Sequence, residues 1–328
     1  MSDEWSTLLR ITHHTSQCFQ GTRMQQTIGI AITDHIATGL VENGRIVGRI
    51  QIFPEGEERP DYLLELPAEE IVQQLHRHIE TARQGQQIAA IGIGLPGIIR
   101  SGVIEEAPSL PQIKGHDLGT ALELLFNQAG SPIPVHALND ADALAAGIAA
   151  TQGQLDQLIR VWTLGDGIGY GRYPLAEGAG EGGHIVVTLD PKENFCACGG
   201  RGHLEGIMSY RAMRLRFLDL EPEEVFAEAA AGDARCTAFV EMWHRALAAA
   251  TANSIHFDGP GKFFISGPNA KFVQLGLLHR CLHEMVKLSP LQGSPLKVVP
   301  ASDEVAIIGA AVSAEQETKG TRQMQTKA

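Results

Sequence analysis

The sequence predicts an α/β protein made of two similar halves. Three observations carry this reading. Runs rich in β-branched residues alternate with segments of helical periodicity, glycine-rich turns follow the strands, and the strand–turn–helix cycle occurs twice. In the first cycle, "TIGIAIT" and "HIATGLVENGRIVGRIQIF" read as a hairpin or meander, with "ENG" as the turn between Val41 and Ile46. "PAEEIVQQLHRHIETARQ" spaces its apolar residues for a helix and places acids in its first turn. "IAAIGIGLPGII" is a buried strand that runs into a proline- and glycine-bearing turn. A helix over "GHDLGTALELLFNQA", a strand over "PIPVHALND" and a helix over "ADALAAGIAAT" complete the half.

The second cycle opens with "LIRVWTLGDGIGYGRY", a strand, a glycine-rich turn and a strand, and continues into a loop dense in cysteine and histidine. Helices dominate from Leu204 onward, the longest over "TAFVEMWHRALAAATANSIHF", interrupted by the strand "GKFFISGP". The helix "EVAIIGAAVSAEQ" is expected to end the ordered part, leaving "QETKGTRQMQTKA" as a frayed polar tail. The first 23 residues show no strong periodicity and read as an extension.

Composition limits the function classes. The chain has 328 residues, 44% hydrophobic and 20% charged, which suits two ordinary domains with real cores. A formal net charge of -12 supplies no basic field for nucleic acid or an anionic membrane. No apolar run reaches membrane-spanning length and the N-terminus lacks a signal-peptide core, so a cytoplasmic protein is expected. Five cysteines, with only Cys196 and Cys198 clustered, are no disulfide framework.

His184, Cys196, Cys198 and His203 offer two imidazoles and two thiolates, a full tetrahedral set for zinc. Gly199, Gly200 and Gly202 let the chain curl back so that His203 can reach the same ion. With all four positions filled by protein the ion is structural. The plainer alternative is two buried thiols and two solvated histidines.

These segments together resemble the ROK family of sugar kinases and sugar-responsive repressors. Its zinc signature has the form GExGH followed by CxCGxxGCLE, and "GEGGH" and "CACGGRGHLE" match it with His203 in place of the third cysteine. "IGIGLPGIIRSGVIEEAPSLPQIKGHDL" is similar to the family's "GxPGxV…SAPNLPGWxGxxL" segment, "LNDADALAAG" to "ENDANAAALGE", and "TLGDGIGYG" to "LGTGIGGG". The likeness runs from about residue 27 to 314. It implies the two-lobed, actin-like (ribonuclease H-like) sugar kinase fold with a hexose between the lobes. The expected lobes are residues 24–138 plus 303–316 and residues 139–302, the zinc loop at 184–203 and the tail at 317–328. The family's sugar contacts carry over to Asn139, Asp140, Glu181, His184 and Glu205, with Asp140 as the general base and zinc as the mounting of Glu181 and Glu205. Read without the family, Asp140 is a helix N-cap and Glu205 an ordinary first-turn acid. No helix-turn-helix precedes the first strand, which points away from the repressor branch. Family members commonly form dimers, so a homodimer is expected.

The resemblance weakens at the nucleotide. The family's first strand ends in DxGGTK, whereas this chain reads "AITDHI", with Ala31 at the aspartate, Thr33 and Asp34 at the glycines and His35 at the threonine. The second phosphate turn has Asp166 for threonine and Tyr170 for glycine, and the adenosine-side turn is "ISGPNA", where Pro268 removes an N–H. Three readings stay open at this point. One is an ATP-dependent hexose kinase with Asp140 as base and magnesium-bound ATP as donor. The second is a different sugar enzyme, a glycoside hydrolase or isomerase type, in which Asp34, His35 and Asp166 face Asp140 across the former phosphate space. The third is a non-catalytic sugar sensor.

Overall fold

In the computed structural model, which describes residues 26–56, 62–176, 178 and 180–325, the aliphatic run Thr27–Ile32 forms a strand, β1, buried along its whole length. The expected extension at residues 1–23 lies outside the described residues. β1 pairs antiparallel with β2 (Ile36–Glu42), and β2 pairs antiparallel with β3 (Arg45–Phe53). The "ENG" turn between them takes Asn43 and Gly44 to φ of 52° and 69°, the left-handed pair that a tight hairpin needs. After α1 (Tyr62–Glu65) and α2 (Ala68–Arg83), β4 (Ile91–Leu95) enters parallel to β1. A small hairpin, β5 (Ile98–Arg100) with β6 (Val103–Glu106), and α3 (Leu118–Gln128) lead to β7 (Val135–Asn139), parallel to β4. The order is β3-β2-β1-β4-β7. α2 and α3 cover one face of this sheet through Ile71, Leu75, Ile79, Leu122 and Phe126.

After α4 (Asp140–Thr151), a second sheet repeats the plan. β8 (Ile159–Leu164) pairs antiparallel with β9 (Ile168–Tyr173). Then come α5 (Glu205–Met208), α6 (Tyr210–Arg216), α7 (Pro222–Ala231) and α8 (Ala234–Asp258), followed by β10 (Lys262–Ser266), parallel to β8. α9 (Leu275–Met285) and β11 (Leu296–Val298), parallel to β10, finish the sheet in the order β11-β10-β8-β9. The run β2-β1-β4-β7 in the first sheet and β9-β8-β10-β11 in the second have the same pattern of one antiparallel and two parallel pairings. The repeated cycle legible in the sequence is therefore a repeated sheet. Trp162, Phe263, Trp243 and Leu247 centre the second core.

The last helix departs from expectation. α10 runs over Asp303–Gln325, well past the expected end near residue 316. Long-range contacts hold the polar continuation: Gln316 Nε2 donates to Tyr173 Oη at 2.7 Å, and Thr318 Oγ1 lies 3.1 Å from His136 Nε2. No described helix is long and apolar enough to cross a membrane.

α4 lies between β9, β4 and α10 with almost no side-chain layer between backbones. A Cβ on Gly171 of β9 would come within 1.9 Å of the Ala141 carbonyl oxygen, and one on Gly94 of β4 within 2.8 Å of the Ala143 Cβ. On the α10 side, a Cβ on Gly147 would meet the Val305 oxygen at 1.8 Å and one on Gly309 the Ala143 oxygen at 1.7 Å. "ADALAAGIAA" is thus the sequence of a helix gripped by its neighbours' main chains, which explains its small residues. Gly309→Ala cannot fit without displacing backbone, and overpacking of that kind costs roughly 3 kcal/mol. Urea denaturation should show the midpoint falling with an unchanged slope, whereas a loss below about 1 kcal/mol would mean that the seam yields.

Candidate functional site

The two histidines of the metal-type cluster meet because two chain segments pair. Val187 N donates to Gly202 O at 2.8 Å and Leu204 N to Ile185 O at 3.1 Å, so residues 185–187 and 202–204 form a short antiparallel ribbon. His184 and His203 flank it, with ring centroids 5.4 Å apart. The turn closed by Gly199 N on Cys196 O at 3.1 Å brings the two sulfurs to 3.4 Å. His184 Nδ1 lies 3.4 Å from Cys196 Sγ and His203 Nδ1 lies 3.3 Å from Cys198 Sγ. All four donor atoms fall within 4.8 Å of one another. A tetrahedral zinc with ordinary bond lengths would set S···S at about 3.7 Å and S···N at about 3.5 Å, and the S···S distance and the two S···N distances given above lie within a few tenths of an ångström of those values. A Cβ at Gly200 would stand 2.0 Å from His203 Cε1, so a larger residue there would displace the His203 ring from its place beside Cys198.

The cluster is fastened to the second core from behind. The Arg216 guanidinium forks onto the Glu193 carboxylate, with Nη1 to Oε1 at 3.0 Å, and lies 4.4 Å over the Phe195 ring. Burial pushes the Cys196 thiol up to about 12, and the nearby Glu205 carboxylate and Cys198 add to the effect. Two thiols and two imidazoles with no counter-cation among them are the donors a divalent metal would take over.

His184 faces two ways. Its Nδ1 is on the sulfur side, and its Nε2 lies 3.7 Å from Glu181 Oε2. Glu205, the first residue of α5, accepts from Cys196 Sγ at 3.5 Å through Oε1 and from Ile168 N at 3.2 Å through Oε2. One carboxylate therefore ties the cysteine turn to the start of β9. Burial raises the Glu181 carboxyl; His184 opposes the shift, and the charges of Glu205 and Asp140 add to it. The structure thus brings Asp140, Glu181, His184 and Glu205 into one electrostatic neighbourhood.

Asp140 begins α4. The cap is Asn139, whose Oδ1 accepts from Ala141 N at 2.9 Å while its Nδ2 donates to Gly97 O at 3.0 Å. Asn139 therefore spends one donor and one acceptor on the protein and keeps one of each free. Burial raises the Asp140 carboxyl above the ordinary carboxylate range, against a hydrogen bond from Ala141 N at 2.9 Å.

Asp34 and His35 are engaged elsewhere. His35 Nδ1 lies 2.7 Å from Asp34 Oδ1, and its Nε2 lies 2.9 Å from Asp303 Oδ2 at the start of α10. The Asp303 bond lifts the imidazole to about 9, burial opposes, and Asp34 reinforces. Burial works against the Asp34 charge, but hydrogen bonds from His35 and Thr33 outweigh it and hold Asp34 below its usual value. His35 is thus protonated near neutral pH with both nitrogens facing carboxylates, which removes it as a base. The hydrogen bonds of this pair run to Asp303 and not to Asp140. Asp166 stands exposed in the β8–β9 turn. Tyr170 does not enter that turn as the alignment suggested; it lies on β9 with its ring on Trp162, centroids 4.6 Å apart. Asn269, which the sequence reading passed over, donates through Nδ2 to Gly165 O at 2.9 Å and so fixes the same turn from the Pro268 side.

Comparison with known proteins places this geometry. The ROK family model matches residues 27–317. The glucokinase of Thermotoga maritima is 27% identical over 310 residues, covering 84% of this chain and 92% of that one. The N-acetylmannosamine kinase of Haemophilus influenzae is 29% identical over 229 residues, 65% of this chain and 70% of that one. The solved ROK hexokinase of Thermus thermophilus superposes with a TM-score of 0.74 at 25% identity, over 90% of this chain and 100% of that one. The fold is the actin-like, two-lobed α/β fold of the sugar kinases.

One half-buried carboxylate escaped the sequence reading. Asp142 Oδ1 accepts from Arg172 N at 2.8 Å and so pins α4 to β9. The only sequence signal is the second aspartate of "NDAD". Burial raises Asp142 from 3.8 to about 6, helped by the Asp140 charge and opposed by the Arg172 N–H. An acid whose folded value is raised costs no stability below its unfolded value and a growing amount as pH rises to the folded value. Asp142→Asn keeps an acceptor for the Arg172 N–H and carries no charge. Its stability relative to the parent should therefore climb between about pH 4 and 6, by about 2 to 3 kcal/mol in all. Denaturant melts across that range test this, and a pH-independent difference would refute it.

Proposed function

The chain belongs to the ROK family, and from that premise we propose that it is an ATP-dependent hexose kinase in which Asp140 accepts the proton of the attacking sugar hydroxyl. The observation that carries the reading is the convergence of an enclosed carboxylate at the start of α4 with two further carboxylates, Glu181 and Glu205. Desolvation raises the Asp140 carboxyl, which makes its carboxylate a stronger base. Glu181, Glu205 and the free amide hydrogen of Asn139 supply the acceptors and donor that orient sugar hydroxyls. The hydroxyl oxygen then attacks the γ-phosphorus, its proton passes to Asp140, and ADP leaves with the charge that magnesium neutralises. Three carboxylates facing one space suit a neutral polyol and repel an anionic sugar. The names of the relatives, glucokinase, hexokinase and N-acetylmannosamine kinase, support the same substrate class.

His184, Cys196, Cys198 and His203 would hold a zinc ion whose chemistry is structural, since four protein donors leave no place for water. His184 can serve ion and sugar together, binding metal through Nδ1 and presenting Nε2 toward Glu181, the usual two-sided use of a ligating imidazole. A reducing, cytoplasmic setting keeps the two thiols available, and a homodimer is the assembly we expect.

No observation favours the glycoside hydrolase or isomerase reading, because the histidine it needs is held between Asp34 and Asp303 and the Asp34 carboxylate is taken up by that histidine.

The kinase reading predicts that Asp140→Asn lowers kcat by roughly 10²- to 10⁴-fold while a hexose still raises the melting temperature. The acid limb of kcat/KM in the parent should lie above the ordinary carboxylate range. Activity within tenfold of the parent would remove Asp140 from the role. For the ion, metal analysis should find roughly one zinc per chain, and Cys198→Ser should release it and raise the hexose KM. Unchanged metal content in that variant would refute the assignment.

A further inference from the structure

Tyr170 sits beneath the loop that carries Glu181 and His184. A Cβ on Gly182 would come within 2.5 Å of Tyr170 Cβ, 2.8 Å of Tyr170 Cγ and 2.9 Å of Trp162 Cζ3. A Cβ on Gly183 would meet the Ile168 carbonyl oxygen at 2.1 Å. The two glycines between Glu181 and His184 therefore lie directly on β9 and on one aromatic pair. The single turn over Gly182–His184, closed by His184 N on Glu181 O at 3.1 Å, has its height set by what is underneath.

The ring is itself anchored. Tyr170 Oη lies 2.7 Å from Ser254 Oγ on α8. Arg160, fully buried on β8, donates through Nη1 to Ser254 O and Oγ at 2.9 Å each and through Nη2 to Gly259 O at 2.8 Å. Its guanidinium lies 4.0 Å over the Phe263 ring of β10. The support under Glu181 thus passes through Tyr170 to α8 and the middle of the second sheet. Nothing in the proposed chemistry uses this path, since the ring touches none of the atoms assigned to sugar or proton.

We propose that Tyr170 is a positioning residue for sugar binding: its ring, packed between Trp162 and Gly182, sets the position of Glu181 and His184 relative to Asp140. The inference rests on the kinase reading for its consequence and on geometry alone for its structural part. The ring carries the effect and the hydroxyl only anchors it, so Tyr170→Phe and Tyr170→Ala should part company.

Hydrogen exchange followed by mass spectrometry on the full chain reads the structural part. In Tyr170→Ala, peptides covering residues 181–184 should exchange at least about tenfold faster, with the β1–β4 core unchanged, and Tyr170→Phe should restore protection. Steady-state kinetics read the consequence. Tyr170→Ala should raise the hexose KM about tenfold or more while the ATP KM stays within about threefold, and Tyr170→Phe should recover the hexose KM. If Tyr170→Ala does not fold, Gly182→Ala lifts the same segment from the other side and should give the same split. Wild-type exchange at 181–184 in the folded variants overturns the proposal, as does an equal rise in both KM values. Faster exchange in a protein whose parent phosphorylates no hexose would sink the kinase reading and leave the positioning role standing.

Discussion

Helix α4 is held by main chain against main chain, and the candidate site depends on that grip. Four glycines, on β4, on β9, on α10 and within α4 itself, stand where a methyl group would overlap a neighbour. Close approach of this kind excludes water from the helix start and fixes its axis without long side chains that could repack. Asp140 is enclosed because its helix is enclosed. The raised carboxyl there is a property of the packing and not of a charged neighbour, since burial is the leading cause of the shift. Asp142 shares the enclosure and turns it to use, replacing water with the Arg172 N–H. The pair shows how one seam can place a candidate base and lock the helix to the second sheet.

From β9 the construction continues outward. Ile168 N donates to Glu205, Glu205 meets Cys196, and Cys196 belongs to the four-donor cluster that also contains His184. Gly171 of the same strand lies on α4, and Tyr170 lies under Gly182. One strand thus touches the helix bearing Asp140, the loop bearing Glu181 and the carboxylate of Glu205 itself. Carboxylates that repel one another do not converge spontaneously, and Glu181 feels both Glu205 and Asp140. The repulsion is sustained because backbone N–H groups hold Asp140 and Glu205 and the His184 imidazole faces Glu181, and stability lost at such a place is a common mark of a binding site.

What the sequence made legible follows from the range of the interactions. The metal-type cluster was readable because its donors lie within twenty residues of one another and their chemistry is local. The hairpin turn at Asn43 and Gly44, the α4 helix and the repeated sheet pattern were readable for the same reason. The continuation of α10 was not, because its polar residues are held by Tyr173 and His136, more than 140 residues away in sequence. Nor was the fate of His35, whose second partner is separated from it by 268 positions. Tyr170 was read as a residue of the second phosphate turn, whereas it lies on β9 with its ring on Trp162. A glycine-rich alignment assigns a residue to a turn, while the alternation of a strand decides which face receives the ring.

The two sides of the candidate cleft have been built by different means, and the contrast bears on the donor. On the Asp140 side, Asn139, Asp140 and Glu205 accept backbone N–H bonds and packed glycines hold their elements, while the Glu181 carboxylate lies 3.7 Å from His184. On the β1–β2 side, Thr33, Asp34 and His35 have formed an ion triad with Asp303, with Thr33 Oγ1 donating to Asp34 at 2.9 Å. The triad carries one positive and two negative charges, so it attracts a cation more readily than a free phosphate. Both imidazole nitrogens face carboxylates, and the Thr33 and Gly165 N–H groups are spent within their own turns, on His35 O and Gly167 O. Under the proposed kinase reading, the carboxylate available to a magnesium ion on this side would be the exposed Asp34, since Ala31 at the strand end offers none. The kinase reading therefore rests sugar recognition on the packed side of the site and leaves donor recognition to the side that carries Asp34.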